Sequence, residues 1–132
     1  TKKLGLEKNV IFKGRVSDEE KYQLFSEATI FVHPSLTDVF AITLIEAAEM
    51  GIPCIAFDVG ANSEIIENGI TGLLTKNPTA SSLSKTILDI LLDDNLAVKI
   101  SKNTQKIIPQ KFNWENTVNS LIQVYQKAVT KI

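Results

Sequence analysis

Two carboxylates stand eight positions apart in "DVFAITLIE": Asp38 in a short polar loop, Glu46 inside an apolar run. An ionised carboxylate only accepts hydrogen bonds, so such a pair suits a ligand rich in hydroxyl donors. If a helix starts near Ala41 or Ile42, Glu46 lies a full turn inside it, too deep to serve the first amides. Flanked by Leu44, Ile45, Ala47 and Ala48, it then faces a polar ligand or stays unpaired, and an unpaired buried carboxylate is costly. "TLIE" also supports a blander reading, a capping box in which Thr43 caps the helix and Glu46 returns to a backbone amide. Asp38 taken alone reads as a solvated loop acid.

The helix start between the two acids changes their meaning. Amides of residues 40–43 would point out of it, and the helix dipole there favours an anion such as phosphate. Asp38 flanks that anion position, and Glu46 sits up to two turns along, ~12 Å away. Acceptors so spaced fit two sugar rings bridged by a pyrophosphate. A nucleoside diphosphate sugar has that layout: ribose, two phosphates, hexose.

Holding these groups in place requires a scaffold, and the rest of the chain reads as one. "NVIFKG" (9–14) is an apolar run closed by glycine, the pattern of a buried strand. In "SDEEKYQLFSEA" Ser17 and Glu20 form a capping box, and Tyr22, Leu24, Phe25 and Ala28 share one helical face. "TIFVHPS" (29–35) predicts a strand stopped by Pro34; "ITLIEAAEM" predicts a helix ending at Gly51, with Pro53 beyond. "PCIAF" is a third strand, Asn62 caps a short helix "SEIIEN" that stops at Gly69, and "GLLT" (72–75) is a fourth strand. Beyond Pro78 only helices follow: "SSLSKTILDILLD", then "NLAVKISKNTQKII" ended by Pro109, then "NWENTVNSLIQVYQKAV" capped by Asn113.

Strands alternating with helices, each strand continuously apolar, predict a parallel sheet covered on both faces, a Rossmann-like three-layer α/β fold. Four strands are few for such a sheet, so at least one strand–helix unit is expected upstream. Ligands of open sheets bind beyond the C-terminal strand ends, which places residues 14–16, 35–43 and 58–63 on the rim.

A length of 132 residues suits one domain. Lysine and arginine total 14 against 15 acids, and Arg15 is the single arginine, so the chain lacks the basic excess of a nucleic-acid binder. One cysteine, Cys54, cannot close an internal disulfide. No apolar run reaches the roughly 20 residues of a membrane span. These features predict a cytoplasmic domain that does not span the membrane.

"Asp38-VFAITLI-Glu46" followed by "AAEMGIPCIAFDVGANSEIIENGITGLL" resembles the donor half of retaining glycosyltransferases with two Rossmann-like domains (GT-B), family 4 or glycosyltransferase group 1. "VIFKGRVSDEE", "ATIFVHPS" and "FNWENTVNSLIQVY" sit at that family's spacings, so the resemblance covers nearly the whole chain. It implies that Asp38 holds hydroxyls of the transferred sugar and Glu46 the ribose. The amides of Phe40, Ala41, Ile42 and Thr43 would receive the distal phosphate, and the backbone at Val16 would meet the nucleobase. It implies no cofactor beyond the donor substrate, and no metal. Three departures stand out: Asp38 where glutamate is usual, Ala41 where glycine is common, and "GANSE" for Gly-Gly-x-Pro-Glu. Gly60, Ala61 and Glu64 are therefore assigned structural roles.

The family's catalytic arginine and lysine belong to an earlier strand–helix unit, expected upstream of residue 1, as is an N-terminal acceptor domain. On this reading the chain is part of a larger enzyme, binds nucleotide and does not transfer sugar alone. The full enzyme would act on a saccharide or lipid-linked acceptor, in the cytoplasm or at the inner membrane face. Residues 113–130 would form a helix crossing towards the missing domain, leaving Trp114, Leu121 and Tyr125 partly uncovered.

His33, at a strand end, reads as structural or as a polar contact for the sugar. Cys54 reads as a small core residue. Two alternatives differ in kind. A phosphorylated receiver would use Asp58, but the first strand ends in Lys13-Gly14-Arg15 without the acidic pair that holds magnesium. An epimerase-type or binding-only sugar-nucleotide domain would share the fold, and the acid spacing favours the transferase over the epimerase.

Overall fold

The computed structural model describes residues 1–129. Three parallel strands, β1 (Phe31–His33), β2 (Cys54–Phe57) and β3 (Gly72–Thr75), form the sheet in that order. Phe31 pairs with Cys54 and His33 with Ala56, while Cys54 pairs with Gly72 and Phe57 with Thr75. Every residue of β2 is buried, as expected of a central strand covered on both faces.

Side chains alternate across that strand with the period of two. Cys54 and Ala56 look towards one core layer, with Leu44, Ala47 and Ala48 of α2 (Ile42–Glu49), Phe25 of α1 (Asp18–Glu27) and Ile108 of α5 (Asp94–Lys111). Ile55 looks the other way, onto Ile90 of α4 (Ala80–Leu91) and Ile100 of α5. Leu44, Ile55 and Ile100 are wholly enclosed, and burying a side chain of that size contributes about 1.5–3 kcal/mol. Phe25 meets Phe31 edge to face at 5.4 Å between ring centres, which sets α1 against β1.

Helix boundaries follow their caps. Ser17 accepts from the Glu20 amide at 3.2 Å and starts α1 as the sequence predicts. Thr79 and Asp93 do the same for α4 and α5. Asn113 serves two helices at once: its Oδ1 accepts from the Asn116 amide at 2.8 Å, while its Nδ2 donates to the carbonyls of Pro109 and Gln110. It thereby closes α5 and opens α6 (Trp114–Val129).

Several expectations need correction. Residues 9–14 form no strand, so three strands replace four. β1 is the edge strand among the described residues, and 9–14 does not pair with it; Ile11 and Phe12 stand 78% and 81% exposed. Apolar content alone does not make a strand without a paired backbone. Asn62 is not a cap but lies inside the short α3 (Asn62–Ile65), whose N-cap is Ala61. Fully buried, it donates to the Phe57 carbonyl at 3.0 Å and ties α3 back to β2. Pro109 does not end α5 but sits in its last turn, on an exposed face. There its missing N–H costs only one bond, to the carbonyl four residues back.

α6 carries an apolar stripe but buries nothing: Trp114 is 84% exposed, and Val118, Leu121, Ile122 and Tyr125 are also open. Trp114 has no packing role among the described residues. The helix predicted over 113–130 therefore starts one residue later, and Thr130 lies outside the described residues. No helix among the described residues is long and apolar enough to cross a membrane.

Candidate functional site

The rim beyond the C-terminal strand ends is built from two loops. One leaves β1 after His33 and enters α2; the other leaves β2 after Phe57 and enters α3. They meet at Gly60, whose φ of 55° is left-handed and which lies so close to Asp38 that a Cβ would stand 2.0 Å from the Asp38 carbonyl oxygen. Only glycine fits both demands. Together the loops bound a cavity of ≈ 350 Å³ lined by Leu36, Thr37, Asp38, Val39 and Gly60.

Asp38 is held at both oxygens. Its Oδ2 lies 2.9 Å from His33 Nε2, and its Oδ1 accepts from the Phe40 amide at 3.1 Å. An ionised carboxylate cannot donate, so the imidazole proton on Nε2 faces it. Both side chains are partly buried, 18% exposed for His33 and 28% for Asp38. His33, the last residue of β1, is thus a polar neighbour of the acid.

Glu46 lies in the second turn of α2. The N-cap of α2 is Ala41 and no side chain caps it, so Thr43 and Glu46 do not form a capping box. Instead Glu46 Oε1 accepts from Lys21 Nζ at 2.8 Å and lies 3.5 Å from the Tyr22 hydroxyl, both on α1. Lys21 also reaches Asp18 at 3.1 Å. The hydrogen bond to Glu46, and then that to Asp18, push the Lys21 ammonium well above the usual lysine range.

Of the four amides at the start of α2, two are engaged. Phe40 donates to Asp38, and Ile42 donates to the Phe40 carbonyl at 3.0 Å. Those of Ala41 and Thr43 make no hydrogen bond among the described residues. Val16, half-buried, immediately precedes the cap of α1.

The remaining candidates lie elsewhere. Cys54 is enclosed in the core, and burial pushes its thiol up to about 12. A thiol raised in the folded state stabilises the fold below its unfolded pKa, roughly 8.5. That contribution falls as pH rises towards the folded value. Cys54 is therefore expected to react with a thiol reagent at pH 8 only after unfolding; prompt reaction of the native chain would contradict its burial. Asp58 is exposed on the rim. Among the described residues no three of His, Cys, Asp and Glu gather as a metal site would require. Another cavity, ≈ 520 Å³, opens at the opposite strand ends between Phe25, Met50–Pro53 and α5, and no acid lines it.

The family described as "Glycosyl transferases group 1" matches residues 1–107. The chain belongs to that family. An uncharacterized glycosyltransferase of Methanocaldococcus jannaschii is 28% identical over 126 residues, 96% of this chain and 32% of the relative. Sucrose-phosphate synthase from Thermosynechococcus elongatus superimposes with a TM-score of 0.87 at 30% identity, covering 99% of this chain and 33% of that one. Anabaena HepE, solved in complex with UDP and glucose, gives 0.81 at 27% identity, covering 99% and 34%. The group 1 domain described here thus spans about a third of the length of these relatives, and its Rossmann-like fold is theirs.

Within this group 1 domain the structure brings Asp38, residues 40–43 and Glu46 onto one loop–helix segment, with Val16 at the foot of the neighbouring α1. Sequence reasoning named His33 as structural or as a sugar contact but not as the partner of Asp38, and it missed Lys21 altogether. His33 is five residues from Asp38 across a strand-to-loop turn, and Lys21 is 25 residues from Glu46 on another helix. The strand-end position of His33 was a usable signal. Nothing local to Lys21 distinguished it from the other exposed-helix lysines.

Proposed function

We propose that this domain binds the nucleoside diphosphate sugar donor of a retaining glycosyltransferase, on the rim between α1, the β1–α2 loop and α2. The observation that carries the reading is the pair of partly buried carboxylates on either side of a helix start with two unengaged amides. The HepE complex with UDP and glucose adds support from a relative of the same fold. Glu46 accepts the ribose hydroxyls and Asp38 those of the transferred sugar. The amides of Ala41 and Thr43, with the dipole of α2 behind them, face the distal phosphate. Those of Phe40 and Ile42 complete the loop rather than the phosphate site. The backbone at Val16 meets the base.

Transfer builds negative charge on the departing nucleoside diphosphate, and preorganised donors at a helix start stabilise charge as it forms. An arginine–lysine pair and an acceptor domain from other parts of the enzyme complete the reaction, directed at a saccharide or lipid-linked acceptor. Asp38→Asn tests the division of labour. Calorimetry should find UDP affinity nearly unchanged and UDP-glucose weakened roughly tenfold or more, the loss of a hydrogen bond to a charged group. Equal weakening of both ligands would remove Asp38 from the sugar subsite.

A further inference from the structure

Lys21 is a cation beside an acid that, under the reading above, must accept a ribose. We infer that Lys21 is a positioning residue that fixes the Glu46 carboxylate for the vicinal hydroxyls and so sets the preference for ribonucleotides over deoxyribonucleotides; this rests on the ribose role proposed for Glu46.

The geometry makes the division of lone pairs specific. Lys21 Nζ lies 2.8 Å from Oε1 of Glu46. Each carboxylate oxygen offers two lone pairs; Lys21 and, at 3.5 Å, the Tyr22 hydroxyl both approach Oε1, which leaves the two on Oε2. Two neighbouring hydroxyls can still be accepted side by side. Lys21 is itself tethered, by Asp18 at 3.1 Å and by its place over the Tyr22 ring at 4.8 Å from the centre. Asp18 opens α1 directly after the Ser17 cap, one turn before Lys21 on the same helix. Both charged side chains are about one-fifth exposed, 22% for Lys21 and 21% for Glu46, so neither is a freely solvated surface group.

A glutamate without this partner would sample several rotamers and lose that freedom on binding. Ordering one such side chain weakens binding by a factor of roughly 2 to 13. That cost falls on contacts through the carboxylate, not on contacts to base or phosphate.

The test uses the protein titrated with UDP and with 2′-deoxy-UDP. Lys21→Met keeps the apolar stem; it should reduce the ratio of the two affinities roughly three- to tenfold, mainly by weakening UDP. Lys21→Arg should restore most of the ratio. A Lys21→Met protein that weakens both nucleotides equally, or neither, or binds UDP more tightly, overturns the positioning role. Glu46→Gln is the companion arm. If it collapses the ratio while Lys21→Met does not, only the inference about Lys21 fails. If it leaves the ratio and UDP affinity untouched, the ribose role of Glu46 fails first.

Discussion

Glu46→Gln is expected to weaken binding of UDP by about 1–3 kcal/mol, the range for losing a hydrogen bond to a charged group, or roughly 5- to 150-fold. The substitution preserves size and one carbonyl acceptor, so Lys21 can still reach the side chain at the position Oε1 now holds. It replaces the charged acceptor at Oε2 with an N–H donor, which can no longer receive a ribose O–H and can only donate, uncharged, to the hydroxyl oxygen. The effect should appear for UDP and UDP-glucose alike, since both carry the ribose. Calorimetry on both ligands checks it. A protein that melts earlier but binds UDP as before would make Glu46 a tether between α1 and α2 and nothing more.

Gly60→Ala should damage both the fold and the sugar side of the site. The left-handed backbone at φ 55° costs an alanine about 1–2 kcal/mol. The added carbon would stand 2.0 Å from the Asp38 carbonyl oxygen, an overlap that only movement of one loop can relieve. The melting temperature should fall by roughly 5 °C or more. UDP-glucose affinity should drop more than UDP affinity, because the loop that moves carries Asp38 while Glu46 sits on the helix. Retention of both melting temperature and UDP-glucose affinity would show that the loops do not approach so closely.

The alternating pattern of strand and helix made the fold legible, and the reason is visible in β2. Cys54, Ile55, Ala56 and Phe57 are all buried, and a run so uniformly apolar between glycine, proline and a loop acid has few other homes. Caps were equally plain where a side chain does the work, as at Ser17 and Asn113. Asn62 misled because its type suits a cap, whereas its amide is spent across the core on the Phe57 carbonyl. Residues 9–14 misled because strand propensity is local while pairing is not. In the candidate site, the two acids stood out by their spacing along one segment. Their bases did not: His33 and Lys21 reach Asp38 and Glu46 only once β1 and α1 have been packed against α2.

α6 sets a different consequence. Its first turn is bonded to the end of α5 through Asn113 and Asn116, and among the described residues none of its 16 side chains is buried. A solitary helix of that length is marginal in water. Its opening is therefore a private event, decoupled from the cooperative melting of the sheet, and its backbone amides would trade hydrogen with solvent long before those of β2.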